Sequence, residues 1–209
     1  MYAPQEDTAL LAGALAEEPL APGADVLDVG TGTGALALAA ARRGARVTAV
    51  DVSWRAVYTA RLNAWLSGVP VRIRHGNLFE AVRDRSYDLI LSNPPYVPAP
   101  TAGVPARGRA RAWDAGHDGR LVLDRICGEA PGLLRPGGVL LMVHSALSDP
   151  ELTVGRLRSA GLKAAVTRRS RIDFGPVLRS RVGWLRERGL LSPAEAKEEL
   201  VVVRAELPV

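Results

Sequence analysis

DVLDVGTGTGALALAAAR, residues 25–42, starts as a short apolar run, turns on Gly30, Gly32 and Gly34, and continues as an alanine-rich stretch. The pattern reads as strand, tight turn and helix, the unit that decides the fold. Glycines let a backbone turn sharply and approach a ligand, and the helix that follows offers free N–H groups at its start. Gly30, Gly32 and Ala35 satisfy the G-x-G-x-x-G/A spacing of dinucleotide sites, and Asp51, about 20 residues further on, stands where a ribose-binding acid belongs. The turn therefore predicts a nucleoside cofactor bound by Gly30, Thr31, Gly32, Gly34, Asp51 and Val52, without saying which.

Working outward, short apolar runs alternate with amphipathic stretches. A helix is expected at residues 6–17, then strand ADVLDV, helix ALALAAARR, strand ARVTAV, helix WRAVYTARLNAWLS and strands PVRIRH and YDLILS. A second half follows with helix DGRLVLDRICGEAPGLL, a break at Pro136 and Gly137, strand GGVLLMVHS, helix LTVGRLRSAG and two final strands, LKAAVTRR and EELVVVRAEL. This order predicts an α/β, Rossmann-like, seven-stranded and mostly parallel sheet with helices on both faces. The last two strands, lacking a crossover helix, are read as an antiparallel C-terminal hairpin. Between them residues 173–192 form an arginine-bearing insert, with Leu178, Val182 and Leu185 at helical spacing and the arginines expected on the outer side.

The 209 residues, 47% of them hydrophobic, suit one domain spanning 1–209. No apolar run reaches the ~18 to 20 residues of a membrane span, and MYAPQEDT lacks the basic-then-apolar start of a secretory signal, which predicts a cytoplasmic protein. Cys127 is the single cysteine, and His75, His117 and His144 lie far apart, so no metal site is expected. The net charge is +5, carried by arginine with only Lys163 and Lys197 beside it. With so much Ala, Gly and Val, that skew reflects a GC-rich coding sequence and is a weak pointer to nucleic acid.

The stretch SNPPYVP, residues 92–98, ends the strand YDLILS. A polar turn would serve to leave a sheet. Two successive prolines instead fix the backbone, and hold the Asn93 carboxamide and the Pro94 carbonyl in one direction. Two rigid acceptors at the carboxyl end of a strand beside the first one lie where open α/β sheets bind ligands. An NH₂ group bonded to both would be aimed at an electrophile, with Tyr96 stacked on the planar group that carries it. Amide and exocyclic amine nitrogens are poor nucleophiles, and orientation with electrostatics is what they need. Asp28, two residues before Gly30, suits the ammonium and sulfonium of S-adenosyl-L-methionine better than a pyrophosphate. Asn77 and Leu78, after the third strand, are expected at the adenine.

These motifs resemble the class I S-adenosylmethionine-dependent methyltransferases that carry NPPY, and among them the HemK-type protein N5-glutamine methyltransferases. The opening YAPQEDTALL and the segment RAWDAGHDGRLVLDRI are most similar to the short, eukaryotic and archaeal release-factor branch. The resemblance implies methyl transfer to a glutamine side-chain amide in a protein such as a release factor. It assigns Asn93, Pro94 and Tyr96 to catalysis, Thr8 and Glu6 to the cofactor, and Pro95, Trp113, Gly116 and Gly119 to the substrate entrance. It also implies a small zinc-binding partner protein. Asn77 stands where the family carries Asp, and Ala115 replaces a glycine. The alternative acceptor is an exocyclic amine of adenine or guanine, although no basic run interleaved with aromatics accompanies the motif. A small-molecule methyltransferase and an NAD-dependent dehydrogenase are the remaining readings; the latter leaves NPPY without a role.

Overall fold

The computed structural model describes residues 5–103, 105 and 108–209; Tyr2 and Pro4 of the quoted opening lie outside the described residues. Strands β1 (Asp25–Val29), β2 (Arg46–Asp51), β3 (Val71–His75), β4 (Tyr87–Ser92), β5 (Leu134–Ser145), β6 (Lys163–Asp173) and β7 (Lys197–Glu206) form a seven-stranded sheet. Its order is β3-β2-β1-β4-β5-β7-β6, with β7 antiparallel to both neighbours and the other pairings parallel. The Rossmann-like expectation holds, including the antiparallel end.

Both faces are covered because the central strands are apolar on both sides. Helices α1 (Glu6–Glu17), α2 (Ala35–Arg42) and α3 (Trp54–Ser67) pack one face through Leu11, Leu15, Leu36, Val57 and Ala60. Helices α4 (Leu121–Glu129) and α5 (Pro150–Ser159) pack the other through Leu123, Ile126 and Leu157. Gly34, at the start of α2, lies against Ala60 of α3, where an added Cβ would stand 3.5 Å from the Ala60 Cα. Among the described residues no helix is long and apolar enough to cross a membrane.

Two expectations need correction. Pro136 and Gly137 do not break helix from strand: β5 already starts at Leu134, and the pair sits inside it, where the register with β4 shifts and Gly137 N donates to Leu207 O. The insert does form a helix, α6 (Pro176–Glu187), with Leu178 and Leu185 buried, but its arginines are not all on the outer side. Arg179, Arg186 and Arg188 are exposed, whereas Arg181 turns inward to the Pro98 carbonyl and the Asp114 carboxylate.

Candidate active site

Register builds the site. Val29 of β1 pairs with Val50 of β2 and with Ser92 of β4, so Gly30, Asp51 and Asn93 leave the sheet side by side at its carboxyl edge. The glycine turn takes positive φ at Gly30, Gly32 and Gly34 (74°, 57° and 87°), which side-chain-bearing residues rarely adopt. A Cβ on Gly34 would lie 3.2 Å from the Ala60 methyl, whereas one on Gly32 would meet nothing within 4 Å: the first glycine serves packing, the second faces open space.

The acids beneath this turn differ. Asp51 receives the Gly32 N–H at 2.9 Å on Oδ2 and the Ser53 N–H at 2.8 Å on Oδ1, and burial raises its pKa. Asp28 lies deeper. Its Oδ2 accepts from the Thr31 hydroxyl (2.6 Å) and the Ala37 N–H (3.1 Å), while Oδ1 is buried with no partner among the described residues. Burial, only partly offset by these bonds, pushes its pKa up to about 6. At 1% exposure Asp28 is sealed from the surface.

Val52 O accepts from His75 Nε2 (3.0 Å), and the His75 ring stacks on Trp54 with centroids 4.1 Å apart. The Asn77 carboxamide donates to Glu80 and accepts from Arg125, so its polar atoms are engaged within the protein. Leu78 has φ 51°, a strained conformation for a leucine of the kind that collects at binding sites.

At the end of β4, Asn93 Nδ2 donates to Thr8 Oγ1 (3.1 Å), which leaves Oδ1 as the free acceptor of the carboxamide. Among the described residues no donor reaches Asn93 Oδ1 or the Pro94 carbonyl. A Cβ on Gly30 would stand 3.9 Å from Asn93 O, so the glycine turn and the NPPY loop are in contact. Pro94 is buried and Pro95 half-buried. Tyr96 is 8% exposed, and its hydroxyl donates to Asp7 Oδ2 at 3.1 Å. Its ring therefore lies mostly within the core beside the loop.

The segment from Trp113 to Gly119 runs against the NPPY loop. Val97 N donates to Trp113 O, Ala115 N to Val97 O and Ala99 N to Gly116 O. At Gly119 a Cβ would fall 2.2 Å from Tyr96 O, and at Gly116 it would meet Leu121 at 2.8 Å; each has positive φ, so neither position admits a side chain. Ala115, in place of a glycine, is fully buried. Trp113 is half-buried and His117 exposed.

Sequence reasoning passed over several residues. In the EDT segment it took Thr8 and Glu6, yet Glu6 is exposed and Asp7 is the buried one, joined to Thr8 N as well as to Tyr96. The helical period of α1 carried that signal, since Asp7 shares a face with Leu11, Ala14 and Leu15. Glu198 on β7 is 6% exposed, feels the Asp7 charge and is pushed up by burial to about 7. Ser148 and Arg181, which hold the NPPY loop from outside, lie far away in sequence and gave none.

The Methyltransferase small domain family matches residues 5–104. A relative from Methanocaldococcus jannaschii, carrying the provisional name protein N5-glutamine methyltransferase, is 35% identical over 83% of this chain and 87% of its own length. The chain belongs to the protein N5-glutamine methyltransferase family. Release factor glutamine methyltransferases of Bordetella pertussis and Deinococcus radiodurans are 41% and 44% identical, and the chain spans 60% and 52% of their lengths. A chain of the E. cuniculi Mtq2-Trm112 complex shares the fold, with TM-score 0.70, 23% identity and coverage of 99% and 98%.

For this methyltransferase the carboxyl edge fits S-adenosylmethionine on its own terms. Gly32 offers an open backbone, Asp51 has oxygens fixed by two N–H groups, and Asp28 holds a buried carboxyl, only partly hydrogen-bonded, that a cationic ligand would favour. The methyltransferase also exposes an apolar stripe on α3, Trp54, Tyr58, Leu62, Trp65 and Leu66, each more than half exposed, beside the edge strand β3.

Proposed function

We propose that the enzyme methylates the side-chain nitrogen of a glutamine in a translation protein, of the release-factor class, using S-adenosylmethionine. The observation that carries this is the pair of unanswered acceptors, Asn93 Oδ1 and Pro94 O, beside the glycine turn. Bound S-adenosylmethionine supplies an electrophilic methyl on a sulfonium. Gly30, Thr31, Gly32 and Gly34 wrap the donor, Asp51 and Val52 face its ribose, and Asn77 and Leu78 border its adenine. Asn93 and Pro94 each accept one N–H of the substrate amide, which turns the nitrogen lone pair toward the methyl. Transfer to that nitrogen would leave S-adenosylhomocysteine and release one amide proton to solvent. No histidine or lysine base is required: the two acceptors stabilise the developing positive charge, the kind of fixed electrostatics that lowers such barriers. Tyr96 and Asp7 brace the loop; Pro95, Trp113, Gly116 and Gly119 border the substrate entrance.

The whole of 1–209 works as one catalytic domain with α6 as its insert, in the cytoplasm. A small partner protein covers the α3 stripe and the β3 edge. Supporting this, five large apolar side chains beside an unpaired strand edge are what a soluble protein ordinarily hides.

The test is to supply labelled S-adenosylmethionine to a lysate and treat it with nuclease or protease. Label that survives nuclease, is lost to protease and maps to glutamine is the expected result. Label in RNA or DNA would transfer the acceptor role to an exocyclic amine.

A further inference from the structure

We propose that Arg181, on the insert helix α6, is a positioning residue for methyl transfer: it clamps the free end of the NPPY loop to the segment facing it. This rests on the acceptor reading given above.

The loop cannot hold itself. Of residues 93–100, four are proline (Pro94, Pro95, Pro98 and Pro100), and proline has no N–H to give. Such a loop is rich in carbonyls and poor in donors, so its shape depends on donors brought from elsewhere. The carbonyls of Tyr96, Val97 and Pro98 in succession each have one. Ser148 Oγ donates to Tyr96 O at 2.7 Å, Ala115 N to Val97 O at 3.1 Å, and Arg181 Nη1 to Pro98 O at 2.9 Å.

Arg181 reaches both sides from a third element. Its Nη2 lies 2.7 Å from Asp114 Oδ1, and the two side chains are only 17% and 8% exposed. One guanidinium therefore ties residue 98 to residue 114 across the paired segments that border the substrate entrance. The helix is seated for this task, because Leu178 and Leu185 flank Arg181 on the same face and pack in a cluster that includes Val97. The planar fork of arginine can serve two acceptors at once, which the single ammonium of lysine does less well. By contrast, the glycine turn and Asp51 lie on β1 and β2, away from α6 in the sheet. Loosening the clamp should disturb the substrate amide and leave the cofactor alone.

Arg181→Ala would strand a buried carboxylate and endanger folding. The useful variants are Arg181→Lys and the double variant Arg181→Met with Asp114→Asn, which removes both charges together. Each is compared with wild type for kcat and KM with S-adenosylmethionine and a purified release factor, for Kd of S-adenosylhomocysteine, and for amide hydrogen exchange. The double variant is expected to lose about 10 to 100-fold in kcat through misplacement of the acceptors, with S-adenosylhomocysteine affinity unchanged and Arg181→Lys intermediate. Exchange should accelerate at Val97 and Ala99 and stay as in wild type at Gly32. Wild-type kcat in a folded double variant would overturn the clamp. A wild-type enzyme inactive on the release factor would strike the acceptor reading instead; the clamp would then stand or fall on exchange at Val97 and Ala99, retained protection sinking it.

Discussion

Strand β1 carries one aspartate at each end, and the two live in opposite electrostatic worlds. Asp25, at the amino end, is gripped by Arg46 at 2.8 Å and by Arg135 at 2.7 Å, and Arg135 also reaches Asp88. The hydrogen bond from Arg46, with further help from Arg135, lowers the Asp25 pKa to about 2. Asp28, three residues later, is buried without a cation and is pushed up to about 6. The carboxyl end repeats the pattern at Asp51 and Glu198, both raised by burial. One end of the sheet pairs its carboxylates with arginines; the other leaves one oxygen of a buried carboxyl and two loop acceptors without a partner among the described residues. A buried carboxyl with a raised pKa beside open hydrogen-bond acceptors is an arrangement that clusters at functional sites.

The comparison can be broken in three places. The largest effect is expected at Asn93→Ala, which deletes one acceptor from the pair proposed to hold the substrate amide. Transfer of labelled methyl should fall by about 10² to 10³-fold, while calorimetry with S-adenosylhomocysteine finds the cofactor bound nearly as before. Full activity in this variant would defeat the proposed role of the loop.

Asp28→Asn comes next, and its sign is the informative part. Because burial raises the folded-state pKa above the unfolded value, the stability linked to this group is fully present below about 4 and is lost as pH rises through about 6. Above that window the ionised carboxylate costs on the order of 2 to 3 kcal/mol. The asparagine variant without cofactor should therefore melt higher than wild type at pH 8, with the gain vanishing near pH 4. Its S-adenosylmethionine affinity should weaken by roughly 10-fold, the worth of about 1 to 2 kcal/mol of attraction across a partly screened distance. Equal melting curves at pH 8 would show that the carboxyl is already compensated.

The smallest effect belongs to the other end. Asp25→Asn should lower stability by about 1 kcal/mol at pH 7, as expected for a partly exposed charge network, and leave methyl transfer unaltered. Its sign is reversed: with the folded pKa depressed, the contribution is present above about 4 and lost as pH falls through about 2. Chemical denaturation at pH 7 and pH 2.5 would measure it, and a loss of activity would mean that the two ends are coupled.

Most of the fold was legible because its signals are local. Helix α1 and strand β4 fall where the apolar periodicity put them, and the glycine turn and NPPY announce themselves by residues with few other uses. The site was legible as a set of motifs but not as a network. Nothing in the spacing of residues 6–8 said that Thr8 would turn the Asn93 carboxamide, or that Asp7 would hold Tyr96, because those partners stand 85 and 89 residues apart. Nor did the position of Asn77 after β3 say that its carboxamide would meet Glu80 and Arg125.

By itself the sequence determined the order of strands and helices, the turn that approaches a nucleoside and the proline-stiffened pair of acceptors, since each follows from backbone preferences and side-chain periodicity within a few residues. Tertiary structure alone decided which carboxylates meet an arginine and which are buried without one, and that Arg181 of the insert reaches Pro98 O in the NPPY loop. Charge and hydrogen bonding act across space, and only the packing of distant segments sets those distances.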